Sequence, residues 1–199
     1  MAAALVGEPP AQWQSIVIED YDPVWPGRFT AASSRLREDR VLGAQIIGIE
    51  HVGSTSVPGL AAKPVIDIDL LLADTSEEAR YLPALAGLGY RLVLREPWWY
   101  GHRMLVSPAA DVNLHLWPQD APEPIRHRLF RDWLRAHLRR GRLTGRQSAD
   151  QFASFQPMLK TSPSSVMVDR AARSPPLLPV ISSLARPQTE PLATSPVVS

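Results

Sequence analysis

The apolar period changes several times along the chain, and each change predicts an element. "SIVIED" (Ser15–Asp20) reads as a short strand. From Trp25 to Leu42, Phe29, Leu36 and Leu42 fall on one face with small alanines between them, which predicts a helix. Pro26 suits its first turn, where the missing N–H has no intrahelical acceptor. "QIIGIEHV" (Gln45–Val52) is the next strand, stopped by Gly53. "PVIDIDLLLA" (Pro64–Ala73) is β-branched and apolar apart from two acids, the pattern of a strand buried on both faces except at those acids. Asp74, Thr75 or Ser76 then caps a helix running to about Leu88, with Gly89 as its stop. "YRLVLR", "HRMLVSP" and "DVNLHLWP" predict three antiparallel strands. Pro122–His137 is amphipathic, with Ile125, Leu129, Phe130, Trp133 and Leu134 on one stripe expected to enter the core. Strands interspersed with helices place the chain in the α/β class.

From Leu138 the periodicity stops. Residues 138–199 hold 8 prolines and 10 serines in 62 positions, a composition that buries little and is expected to be largely disordered. Residues 1–14 lack a basic start and a sustained apolar run, so they are expected to be a flexible N-terminus and not a signal peptide. At 199 residues, 45% of them hydrophobic, the chain holds one domain with a proper core, expected over residues 15–137.

Charge divides the chain in the same place. Residues 1–137 carry 13 Lys/Arg against 17 Asp/Glu, and residues 138–199 carry 8 against 3. A basic tail on an acidic body would suit a nucleic-acid arm, but these charges are spread through prolines and serines, with only Phe152 and Phe155 as aromatics, which argues against one. No apolar run approaches the roughly 20 residues of a membrane span. Cysteine is absent, which excludes disulfides and thiolate metal sites and fits a cytoplasmic protein.

The chemistry concentrates in "EHVGSTSVPGLAAKPVIDIDLLL", Glu50 to Leu72. On a strand, residues i and i+2 share a face about 7 Å apart, so Asp67 and Asp69 look one way while Ile66, Ile68 and Leu70 look the other. In "DVNLHL", Asp111, Asn113 and His115 likewise share a face. If that strand lies beside the first, Asp67, Asp69 and Asp111 converge. Three carboxylates without thiols suit Mg²⁺ or Mn²⁺, and two such ions would clamp the oxygens of a phosphoryl displacement. Gly53 and Ser54 supply a turn whose N–H groups and hydroxyl suit terminal phosphates. The plain alternatives are a solvent-facing acidic pair and an ordinary turn.

An apolar strand, Gly-Ser, and an acid–apolar–acid pattern beyond it resemble the signature of the nucleotidyltransferase superfamily. More closely, "YDPVWPGRF", "IEHVGSTSVPGLAAKPVIDID", the His102–Arg103 pair, "NLHL" and "LFRDWLRAH" resemble the GrpB family in order and spacing over about residues 15–137. The resemblance implies a nucleotidyltransferase-like mixed sheet flanked by helices. It implies metal-dependent transfer of a nucleoside monophosphate from an NTP to an unknown small-molecule acceptor. The other reading is a catalytically silent nucleotide-binding or accessory module; the resemblance implies a link to coenzyme A synthesis, since a similar domain is fused to dephospho-CoA kinase in some actinobacteria. By that resemblance Gly53, Ser54 and Thr55 bind phosphates, Asp67 and Asp69 ligate metal, and Asp111 is the third carboxylate, polarising the acceptor hydroxyl.

Other residues keep two readings each. His51 contacts phosphate or is a core histidine; Lys63 neutralises phosphate or caps a turn. Arg103 pairs with a triphosphate through its fork or makes a surface salt bridge. Asn113 and His115 are candidates for a supporting shell around the acids. The aromatics of "PWWYG" (Pro97–Gly101) stack a base or simply pack. Finally, the swing in composition after His137 resembles a GC-rich gene read in a shifted frame, with a native disordered tail as the rival reading.

Overall fold

A computed structural model describes residues 5–10 and 17–139 of the chain. The expected tail from residue 140 onward therefore lies outside the described residues, as do Ser15 and Ile16 of the predicted first strand. Helix α1 (Trp25–Glu38) begins with Pro26 in its first turn, as the sequence predicts. It stops four residues before Leu42, because Asp39 turns extended and its carboxylate accepts the N–H groups of Val41 and Leu42, capping a separate short helix α2 (Arg40–Gly43). The sheet strands are β1 (Gly48–Val52), β2 (Ile66–Leu72), β3 (Arg91–Glu96), β4 (His102–Val106) and β5 (Val112–Pro118). The predicted helix after Asp74 is split into a 3₁₀ turn (Glu78–Arg80) and α3 (Leu82–Gly87), followed by Gly89 at φ 86°. The last element is α4 (Glu123–Arg139).

The strands form one mixed sheet in the order β1-β2-β5-β4-β3. β2 and β5 run parallel at its centre, with Asp67 opposite Asn113 and Asp69 opposite His115; every other pairing is antiparallel. Alternation then divides the sheet into two unlike faces. On one, Ile66, Ile68, Leu70, Leu114 and Leu116 are fully buried against Trp25, Leu36, Leu42 and Leu85 of α1, α2 and α3. The other carries Asp67, Asp69, Asn113, His115 and Trp117 and is partly covered by α4.

That polar face explains where the expected α4 stripe goes wrong. Leu134 is fully buried against Val57 and Leu60, with Phe130 and Trp133 packed beside it, but Ile125 and Leu129 are 51% and 67% exposed. The sheet beneath the first turns of α4 presents acids, so His127 and Arg131 turn inward and the aliphatic residues turn out. "SIVIED" is corrected as well. Among its described residues Val17 and Ile18 are exposed, and only Glu19 pairs, exchanging both backbone hydrogen bonds with Ala62. Within the segment expected to be flexible, Leu5 bridges to Leu94 and the Val6 N–H donates to the Val93 carbonyl at 2.9 Å, because β3 is an edge strand with open backbone groups.

Candidate functional site

The end of β1 sets the site. Val52 pairs with Asp67, so Gly53, the next residue, sits against the Asp67 side chain. Its φ of 71° lies in the left-handed region, and a Cβ added there would overlap Asp67 Oδ2. Glycine is thus required twice, by conformation and by contact with the acid. The chain then makes a 3₁₀ turn (Ser54–Ser56), closed by Ser56 Oγ donating to the Gly53 carbonyl. Glycine bend and first aspartate form one place.

The second aspartate is elsewhere in chemical terms. Asp69 is fully buried, and both its oxygens are occupied: Oδ1 accepts from Trp117 Nε1 at 3.0 Å and Oδ2 from His127 Nδ1 at 2.7 Å. Burial lowers the proton affinity of His127, but the hydrogen bond and charge of Asp69, helped by Glu123 and Asp67, outweigh it and raise its pKa. The positive charge beside this buried carboxylate is therefore an imidazolium supplied by α4.

Asp67 is 20% exposed, and Asn113 Nδ2 donates to its Oδ1 at 2.8 Å. The reverse amide orientation would set two oxygens together, so Asn113 Oδ1 points away and is buried without a partner. His115 Nε2 lies 3.8 Å from Asp67 Oδ1, and His115 Nδ1 lies 3.0 Å from His102 Nε2. His102 Nδ1 in turn lies 2.8 Å from Glu96 Oε2. His102 is held between the rings of Trp117 and Trp99, at centroid distances of 4.2 Å and 5.2 Å. Burial first, and then its neighbours His115, His127 and Arg103, push its pKa well down and keep it neutral. Burial also raises the pKa of Glu96.

The remaining expected residues disperse. Asp111 closes the β4–β5 turn, its Oδ1 accepting from Ser107 Oγ at 2.7 Å while its N–H donates to that same Oγ. Among the described residues no group of three or more His, Cys, Asp or Glu is arranged to hold a metal ion. A Mg²⁺ or Mn²⁺ centre built on Asp67, Asp69 and Asp111 therefore does not fit: two of its three carboxylates are spent on neighbours. Arg103 is opposite Leu116 and so projects from the apolar face, where it donates to Glu78 Oε1 at 2.6 Å. His51, opposite Ile68, also faces α1; its ring stacks on Phe29 at 4.8 Å, and burial lowers its pKa to about 4. It is the core histidine of the two readings. Thr55 Oγ1 is consumed by the Val65 carbonyl and by His51 Nε2. Ser54 opens the turn half-buried, and Lys63 is half-buried in the loop leading to β2. In the "PWWYG" hairpin Trp99 packs on Trp117, while Trp98 and Tyr100 are exposed.

Sequence reading missed what α4 brings. Arg131 Nη1 donates to Glu50 Oε2 at 3.0 Å and to the His51 carbonyl at 2.8 Å, and Arg135 donates twice to the Ser56 carbonyl, at 3.0 Å and 2.6 Å. His127, Arg131 and Arg135 recur every four residues, a polar stripe as regular as the apolar one beside it. That spacing was the available signal. Glu96 and Trp117 carried none, since only strand pairing brings them to the site.

A mixed sheet flanked by helices, with one dry face and one polar face ending in a glycine bend, defines an α/β protein of a recognisable kind. The family described as GrpB protein matches residues 15–142, and the chain belongs to that family. It is 47% identical over 132 residues to UPF0157 protein BH1888 of Halalkalibacterium halodurans, covering 66% of this chain and 67% of that protein. It is 42% identical over an equal length to UPF0157 protein SCO7215 of Streptomyces coelicolor, with the same coverage. Among solved structures, the crystal structure of conserved protein GrpB from Enterococcus faecalis is similar, with a TM-score of 0.51 and 28% identity over 60% of this chain and 73% of that one. No helix among the described residues is long and apolar enough to cross a membrane.

Proposed function

We propose that this GrpB-family chain is a nucleotide-binding protein on a nucleotidyltransferase-like fold, in which the phosphates of an NTP lie along the Gly53–Ser54 bend and a hydroxyl of the ligand or acceptor is held by Asp67. One observation carries the reading: Gly53 leaves no room for a side chain against Asp67, so bend and acid form a single site. Support comes from α4, whose Arg131 and Arg135 grip the carbonyls on either side of the bend and add positive potential where phosphates would lie. Asp67 accepts hydrogen bonds there and orients a hydroxyl. With Asp69 neutralised by His127, two-metal nucleotidyl transfer is the weaker reading, and nucleotide binding without a metal the stronger.

Calorimetric titration of ATP with and without Mg²⁺, on wild type and Asp67→Asn, tests this. The expected result is binding that survives a chelator and is weakened by Arg135→Ala. Binding that needs Mg²⁺ and vanishes in Asp67→Asn would restore the two-metal transferase. Absence of binding under both conditions would remove nucleotides as the ligand.

A further inference from the structure

We propose that His115 is a general base in this site, its bare Nε2 taking a proton from a water whose other O–H is held by Asp67, with His102 and Glu96 as positioning residues behind it. The argument is one of hydrogen-bond direction. An ionised carboxylate only accepts, so Glu96 Oε2 at 2.8 Å fixes the proton of His102 on Nδ1. His102 is neutral, so its Nε2 carries a lone pair, and at 3.0 Å that lone pair fixes the proton of His115 on Nδ1. His115 Nε2 is then left unprotonated on a side chain 18% exposed, facing Asp67 Oδ1 at 3.8 Å. That gap is too long for a direct hydrogen bond. A water can instead bridge them, donating one O–H to the carboxylate and the other to the nitrogen.

No simpler structural duty explains the chain of groups. A buried histidine needs one partner for its N–H, and His102 has a second partner that is itself a histidine leading out to the polar face. Trp117 and Trp99 lock its ring from two sides. The charged and titratable groups around His115 are Asp67 and Asp69 on β2, Glu50 on β1, His102 on β4, Glu96 on β3 and His127 on α4.

The substrate class rests on the phosphate-binding reading above: a phosphoanhydride attacked by water. The O–H bond breaks, its proton goes to Nε2 and its electron pair forms the new O–P bond. The anhydride P–O bond breaks with its pair on the departing phosphate, and Nε2 afterwards releases its proton to that group or to solvent.

Long-range ¹H–¹⁵N spectra of the histidine side chains in the full-length protein test the relay without any substrate. Expected are a His115 ring protonated on Nδ1 and bare on Nε2, a scalar coupling across the His115–His102 N–H···N bond, and loss of that fixed tautomer in Glu96→Gln. A His115 ring protonated on Nε2, or no coupling between the two rings, would overturn the proposal, and wild-type spectra alone suffice for that result. ATP titration of the same sample separates the two readings. A relay present without ATP binding sinks only the phosphate assignment, whereas ATP binding without the relay sinks only the general base.

Discussion

Asp67 and Asp69 are two residues apart on one strand and project from the same face, yet they have opposite fates. Asp69 is wholly buried, its two oxygens held by Trp117 and His127. Asp67 keeps partial contact with solvent and lies against a glycine that leaves no space between them. The difference comes from what covers each one. Helix α4 crosses above Asp69 and places a cation on it, whereas the glycine bend leaves Asp67 at the rim. Two like charges on one strand are compatible because α4 brings a cation onto the buried one. An acidic pair in a sequence is therefore not yet a metal site.

Breaking the buried partnership should give the largest effect. His127→Ala leaves Asp69 charged and unpaired, and the expected loss in chemical denaturation is about 3–5 kcal/mol. Replacing both residues with leucine should recover most of it. The pair also sets an alkaline limit. Because the pKa of His127 is raised above its ordinary 6.5, its contribution is complete below that pH and disappears as pH rises through the raised value. Stability measured against pH should fall on that side in wild type and stay flat there in the double leucine variant.

On the opposite face of the sheet His51 behaves with the reverse sign. Its pKa is lowered from 6.5 to about 4, so the stability it contributes is complete above 6.5 and is lost as pH falls toward 4, by about 3 kcal/mol. His51→Leu should flatten that acid limb; an unchanged acid limb would mean the ring is not buried neutral.

Gly53→Ala sharpens the contrast at the available acid. Left-handed backbone strain plus overlap with Asp67 should cost roughly 1–3 kcal/mol and abolish ATP binding. Asp67→Asn, which keeps the volume, should alter binding far more than stability. The smallest effect is expected at Ile125→Ser and Leu129→Ser. Both side chains face solvent, so each should shift unfolding by less than about 0.5 kcal/mol. A loss of 2 kcal/mol or more, on the scale of buried aliphatic truncations, would show that they are covered after all.

Much of the frame was legible because it depends on local period. The strand at Ile66–Leu72 with its dry Ile66, Ile68 and Leu70, the glycine stop at Gly53, the neighbouring strand at Val112–Pro118 and the proline-started first helix all follow from alternation and turn chemistry. Family membership was legible too, since the motif from Ile49 to Asp69 is long and continuous. Registers and partners were not legible. Nothing near Asp69 announces that a histidine 58 positions later will neutralise it, or that Glu96, His102 and His115 will align across three strands. The stripe of α4 illustrates the limit best: the sequence offers an aliphatic stripe and a His–Arg stripe side by side, and only the acidic surface below selects which turns inward.

The chain by itself determined an α/β sheet with a glycine bend beside an acidic strand, because backbone alternation and side-chain burial are set by neighbours a few residues apart. Tertiary structure alone decided that Asp69 is spent on the fold while Asp67 lies at the bend, because that depends on charges brought from distant elements into a buried space where every carboxylate must find a partner.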